Sequence, residues 1–294
     1  MSTDDTRSAA SAEAQDITVG DVVDVLESAY PLSWAEDWDR VGFVLGERGA
    51  TVGRVLLAVD PTLPVTREAV DHGSELLITH HPLLLRGASF LPADDGKGAV
   101  VTSLLRAGTA LWCGHTNVDR STRGTVGAWI DALALQEARP LVPGKEGEAA
   151  EFGSRLFGLG AVGELERPTT VGELAETVAG IVPRTARGIA FTGAADRPVR
   201  RIAVCPGAGD SFLDAAAAAG ADAYITSDLR HHPALEHVEG AADAQRVPAL
   251  VDVAHAASEA LWLPLARDLL AEALPGLDVR VSSQVTDPWS GRVG

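Results

Sequence analysis

The chain has 294 residues, 46% of them hydrophobic, with a formal net charge of −17 and a mean hydropathy near zero. That is enough apolar material for one large or two modest cores, and no stretch approaches the ~20 apolar residues of a membrane span. The acidic balance sets a repulsive field against a polyanion over most of the surface, which disfavours general nucleic-acid binding.

Residues 1–16 are rich in Ser, Ala, Thr and Asp without an apolar run, so they read as a disordered tail and not as a secretory segment, and the chain reads as cytoplasmic. Residues 17–30 carry Val19, Val22, Val23, Leu26 and Ala29 at the spacing of one helical face, with Thr18 placed to cap it. Residues 55–59 predict a buried strand, 63–72 a helix beginning near Pro64, and 76–79 a second strand: a βαβ unit with a right-handed crossover. A helix over 99–107, a strand over 110–113 and a helix over 125–135 follow, the last with Val126, Trp129, Ile130 and Leu133 on one face. Pro, Gly and charged residues within 140–150 place a division there, giving a first half of 17–140 and a second of 141–294.

In the second half, 156–163 predicts a strand and 170–181 a helix capped by Thr169 or Thr170. Strands at 202–205, 223–226 and 249–253, with a helix at 212–219, then repeat the order of the first half. Residues 262–274 form a late amphipathic helix. The stripe of Leu261, Trp262, Leu265, Leu269 and Leu270 suits either a subunit core or a contact between subunits. Cys113 and Cys205 sit inside apolar strand-like runs, the place of small buried hydrophobes in a reducing compartment.

The two halves repeat one another. Arg54 and Thr79 are 25 residues apart (79 − 54), and so are Arg201 and Thr226 (226 − 201), with Gly73 and Gly220 at matched positions between them. The offset of 147 residues (201 − 54) is the size of a domain and not of a solenoid repeat. Downstream, His115 is followed four residues later by Asp119, and His255 four residues later by Glu259. The fold class expected is α/β, with two similar halves facing each other.

Adjacent histidines on a regular strand point to opposite faces, so His80 and His81 serve one site only if the strand ends at Thr79 and the chain turns, as Pro82 favours. His80, His81, His115, Ser227 and His255 all fall at or beyond the carboxyl ends of predicted strands, where open α/β sheets bind ligands. The His-x-x-x-carboxylate pairs share a face if a helical turn follows each strand. Imidazole and carboxylate suit a first-row divalent metal, and with His80 and His81 there are ligands enough for two ions in a site resembling two-metal hydrolytic centres. Asp119 is also placed to cap a helix. His231 and His232 lie five residues past Thr226, where they face a substrate, support the ligands or form a plain surface turn. The Gly-rich turn from Cys205 to Ser211 either cradles an anion on its backbone N–H groups or allows a tight turn and nothing more.

At Ile78-Thr-His-His-Pro-Leu83, Gly114-His-Thr-Asn-Val-Asp119, Thr226-Ser-Asp-Leu-Arg-His-His232 and Asp252-Val-Ala-His-Ala-Ala-Ser-Glu259 the chain resembles the GTP cyclohydrolase I type 2 homologue family, also called NIF-three-like. Ala35-Glu-Asp-Trp-Asp-Arg-Val-Gly42, Gly158-Leu-Gly160 and the turn at Cys205 to Ser211 add to the match. The resemblance implies two interlinked α/β domains with a pair of divalent metals between them, and a toroidal homohexamer. It implies that His80 and His255 hold one metal, that His81 and Asp119 hold the other, and that Glu259 bridges them with His115 alongside. Ser227 stands where Gly is usual, Arg40 where Asn is usual, and Ala254, Ala256 and Ala257 also depart from the pattern, so contacts to substrate differ while every proposed ligand is kept. The function implied is a metal-dependent, cyclohydrolase-like hydrolase of a small molecule using Zn, Mn or Fe; because only histidine titrates near neutrality without perturbation, His115, His231 or His232 is expected to move the proton. The alternative is a non-catalytic, metal-dependent binding or regulatory protein.

Overall fold

In a computed structural model the structure describes residues 16–144, 158–240 and 247–293. Residues 1–15 of the expected tail, and 145–150 of the expected division between halves, lie outside them.

The first helix, α1 (Val19–Ala29), opens on Thr18, whose hydroxyl accepts from the Asp21 N–H while Asp21 accepts from the Thr18 N–H. Its apolar stripe is buried, as the spacing predicts. After β1 (Gly42–Leu45) come β2 (Arg54–Ala58), α2 (Leu63–His72), β3 (Leu76–Thr79), α3 (Gly96–Ala107), β4 (Ala110–Cys113), the single turn α4 (Thr116–Asp119) and α5 (Thr125–Leu133). β5 (Gln136–Pro143) and β6 (Gly158–Thr170) lead to α6 (Val171–Ile181), β7 (Ala190–Phe191) and β8 (Pro198–Ala208). The remaining elements are α7 (Leu213–Ala218), β9 (Ala223–Ser227), α8 (His231–Glu239), β10 (Ala249–Asp252), α9 (His255–Glu259), α10 (Trp262–Ala273) and β11 (Asp278–Val281).

Two sheets result, ordered β1-β4-β3-β2-β11 and β5-β6-β8-β9-β10-β7. β2, β3 and β4 of the first sheet and β8, β9 and β10 of the second are mutually parallel, while β6 runs antiparallel to β8. Strand residues alternate between two buried faces, as a sheet covered on both sides requires. In the first sheet Val55, Leu57, Leu76 and Ile78 pack under α1 and α10, whereas Leu56, Leu77 and Leu111 pack under α2 and α3. In the second, Ile202, Val204, Ile225 and Val251 meet α5 and α6, and Ala203, Cys205, Tyr224 and Leu250 meet α7 and the half-buried Ala234 and Val238 of α8. Of the late-helix stripe, Trp262 and Leu270 are buried in the core beneath the first sheet.

The halves are interlinked. β11, from the end of the chain, pairs with β2 of the first sheet. β5, which spans the expected 140/141 division, pairs with β6 of the second. The Trp129 indole on α5 donates to the Ser258 carbonyl, and the Trp262 indole on α10 donates to the Tyr30 hydroxyl.

The duplication extends to single hydrogen bonds. Gly53 and Arg54 N–H both donate to the Glu75 carboxylate, as Arg200 and Arg201 N–H do to Asp222. Gly73 and Gly220 turn the chain with φ of 70° and 68°. The downstream echo, however, is one residue out. Thr79 pairs with Cys113 and Thr226 with Asp252, so Cys113 corresponds to Asp252 and His115 to Ala254, with Thr116 corresponding to His255. His115 is the N-cap of α4, at φ −119° and ψ −108°, while His255 is the first residue of α9. The two imidazoles therefore reach their positions by different local routes.

Candidate metal centre

At the end of β3 the chain turns as His80 and His81 donate their N–H groups to Val59 O at 3.1 and 2.9 Å. The turn brings both rings to one place, with centroids 5.2 Å apart. The His115 ring lies 5.3 Å from His80 and 5.6 Å from His81, and the His255 ring 5.0 Å from His81. Four imidazoles from both halves thus meet at the carboxyl ends of the parallel strands.

Each ring is fixed through Nδ1. His80 donates to Gly114 O at 2.8 Å, His81 to Asp60 Oδ1 at 2.7 Å, His255 to Asp228 Oδ2 at 2.7 Å and His115 to Asp39 Oδ1 at 2.9 Å. With that proton on Nδ1, Nε2 carries a bare lone pair aimed inward, the arrangement of metal-ligating histidines and their outer acceptors. Asp39 is held in turn by the N–H of Thr116 at 3.0 Å.

The inward atoms surround Glu259, which is 3% exposed at the end of α9. Its Oε1 lies 3.0 Å from His255 Nε2 and 3.5 Å from His80 Nε2, and its Oε2 lies 2.9 Å from His81 Nε2. His80 Nε2 also lies 3.5 Å from Asp119 Oδ1, an oxygen to which Thr125 donates. His81 Nε2 and His255 Nε2 face each other at 3.2 Å. Two lone pairs at that distance repel unless a proton or a cation lies between them. His80 Nε2 and Glu259 Oε2 are buried without a hydrogen-bond partner, which costs about 1–3 kcal/mol for each such polar group and more for a charged one.

Among the described residues, two groups of ligand atoms lie within 4.8 Å of one another and can hold a metal ion: His80, His81 and His115, and His81, His255 and Glu259. His81 belongs to both. The resemblance instead pairs His80 with His255 and His81 with Asp119.

The electrostatics ask for positive charge. Burial pushes His81 down, but the Glu259 carboxylate and the hydrogen bond to Asp60 outweigh it and raise the ring to about 11. Burial likewise opposes charging of His255, and Glu259 with Asp228 raises it to about 10. Burial favours a neutral Glu259, yet the three imidazoles hold its carboxyl well below the usual range. Orphaned buried ligand atoms, fixed Nδ1 protons and a demand for cationic charge together fit a metal.

The Gly-rich turn serves this centre by close approach. Gly207 has φ +71°, and a Cβ there would lie 2.4 Å from Glu259 Oε1. Its carbonyl accepts from the Thr226 hydroxyl at 3.1 Å. His231 and His232 lie elsewhere: they are exposed on the first turn of α8, ring to ring at 5.2 Å. No hydrogen bond, ion pair or ring contact links either side chain to the four central histidines.

Sequence reasoning missed the acceptors Asp39, Asp60 and Asp228. Asp60 and Asp228 each follow a strand end, β2 and β9, so their place at the ligand-binding edge was available as a signal. Asp39 lies within the Ala35 to Gly42 segment, but its bond to His115 spans 76 residues.

A sequence model of the Duf34/NIF3 family (NGG1p interacting factor 3) matches residues 17–288. A Streptomyces coelicolor protein named GTP cyclohydrolase 1 type 2 homolog is 44% identical, over 94% of each chain. Among solved structures, a Bacillus cereus protein related to NIF3 superposes with a TM-score of 0.84 at 21% identity, over 94% of this chain and 99% of that one. The Staphylococcus aureus protein SA1388 superposes at 0.81 with 26% identity, over the same shares. Among the described residues no helix is long and apolar enough to cross a membrane.

Proposed function

The chain belongs to the Duf34/NIF3 family, and on that premise we propose that it is a dinuclear metal protein with hydrolase-like, cyclohydrolase-type activity on a small molecule. The observation that carries the reading is the convergence of imidazole Nε2 atoms on buried Glu259 while every Nδ1 is tied to an acceptor. His80, His81, Asp119, His255 and Glu259 would hold the two divalent ions, and mixed nitrogen and oxygen donors suit Zn, Mn or Fe. Bound there, the ions would supply Lewis acidity for hydrolysis.

The protein's own groups do the rest. Glu259 touches both ligand sets and is buried, so its negative charge acts at full strength on whatever shares the site. Asp60, Asp228 and the Gly114 carbonyl lock ring orientation. His115, tethered by Asp39 and packed edge-on against the exposed Trp38, stands where its Nε2 either completes a ligand set or moves a proton to and from substrate. His231 and His232 have no part in this reading.

Elemental analysis tests it. Wild type is expected to carry up to two divalent ions per chain and Glu259→Ala to lose most of them, because one carboxylate serves both sets. Full retention by the variant would sink the bridging role. A non-catalytic binding protein has the same metal content but no turnover. Assay of the metal-loaded chain against nucleotides, phosphoesters and cyclic amides, beside His115→Ala, separates the two.

A further inference from the structure

Behind the metal centre, where the two halves meet, lies a cavity of about 500 Å³. Its walls come from the ends of separate elements. Ile181 and Val182 close α6, Leu261 and Leu263 lead from α9 into α10, and Val281 and Val285 lie at and after the end of β11. The floor belongs to the centre itself. Val59, whose carbonyl holds the His80 and His81 N–H groups, lines the cavity, and so do Ala256 and Ala260. Residues four apart share a helical face, so α9 turns His255 and Glu259 towards the metal ligands and the methyl groups of Ala256 and Ala260 towards the cavity.

The lining offers little to water or to charge. Its hydroxyls are already committed: Ser282 and Ser283 donate to Glu68, Thr286 donates to Asp60, and Thr185 accepts from the Gly188 N–H. Among the described residues that line the cavity, Asp287 is the one ionisable side chain, so no cation stands ready for a buried anion, and desolvating an unpaired anionic group there is costly. Gln284 and Val285 stand exposed at the rim. The volume is that of a small-molecule site, and a space with so few polar partners favours an apolar guest over ordered water.

We propose that this cavity binds an uncharged, largely apolar small molecule, its aromatic or aliphatic body held between the two halves and any polar end at the Gln284 rim. The site is separate from the metal-ligand cluster, and binding there does not depend on what the metal centre does.

Fluorescence titration of the purified full-length protein with N-phenyl-1-naphthylamine, and with its sulfonated counterpart 8-anilinonaphthalene-1-sulfonate, tests it, because the two dyes share one ring skeleton and differ by a negative charge. The uncharged dye is expected to bind saturably and about tenfold more tightly than the sulfonate. Ala260→Phe, which takes up the room for the rings, is expected to weaken the uncharged dye about tenfold, with circular dichroism confirming the fold. Val285→Arg sets a cation at the exposed rim and is expected to narrow the preference between the dyes about threefold. No saturable binding of the uncharged dye by wild type overturns the site, and is the outcome if a second copy of this chain covers the mouth. Equal binding of the two dyes by wild type, or undiminished binding by a folded Ala260→Phe, overturns it as well. If Ala260→Phe does not fold, Val285→Arg decides: an unchanged preference overturns the site and a narrowed one supports it.

Discussion

Among single residues, the acceptors behind the imidazoles matter as much as the imidazoles. Removing the negative charge from Asp60 or Asp228, as Asn, leaves His81 or His255 with a weaker Nδ1 acceptor and a less basic Nε2. Metal affinity measured against a competing chelator is expected to fall about 10–100-fold for each variant. Protons compete with metal at the same atoms, so affinity is expected to rise with pH across the neutral range and proton release to accompany binding. The metal-free chain has the opposite dependence. His81 and His255, raised to about 11 and about 10, stabilise the fold fully below their ordinary value of 6.5 and lose that contribution as pH rises through the raised values. Glu259, held low, contributes above its ordinary 4.5 and loses the contribution as pH falls. Thermal unfolding of the metal-free protein is therefore expected to show this cluster's support greatest between pH 4.5 and 6.5 and declining towards pH 10. A metal-free midpoint that climbs over the alkaline range would contradict the charge balance argued here.

Among elements, the end of β8 is the one most closely fitted to the site. Gly207→Ala places a side chain in the left-handed region and drives its Cβ into the Glu259 carboxylate. A loss of about 1–3 kcal/mol is expected from the backbone alone, read from the denaturant midpoint, together with metal loss because Glu259 must move. Gly220→Ala shares the positive φ, at 68°, but there the Cβ lies 3.3 Å from an Arg201 nitrogen, far from the centre. Comparable destabilisation with metal retained is expected of it. Equal metal content in the two variants would refute the close-approach role of Gly207.

For the whole molecule, assembly is the open quantity, and a homohexamer is the state we expect. A charge of −17 per subunit is −102 for six (6 × −17), so any contact surface must be apolar or screened. Trp262 and Leu270 are committed to the subunit core and are not free for that role. Light scattering coupled to gel filtration at low and high salt is expected to give six chains under both conditions. A monomer under both removes the assembly.

Local pattern by itself determined the central strands and most of the helices of both halves, though not β1, β5, β7, β11 or α8, together with the 147-residue repeat and the imidazoles and carboxylates that meet at the centre. It succeeded because each of these is written in contiguous residues: a stripe on α1, a His-His pair at a strand end, a carboxylate one helical turn beyond a histidine. Three things were decided only by tertiary structure. β11 joins the sheet of the opposite half and β5 runs across the expected division into the second sheet, since edge pairing is set by what lies alongside in space. The apparent match of His115 with His255 is displaced by one residue, because strand register and not spacing to the next carboxylate defines equivalence. Asp39, Asp60 and Asp228 become partners of His115, His81 and His255 across 76, 21 and 27 residues, separations that carry no periodic signal and close only when the sheets bring their carboxyl ends together.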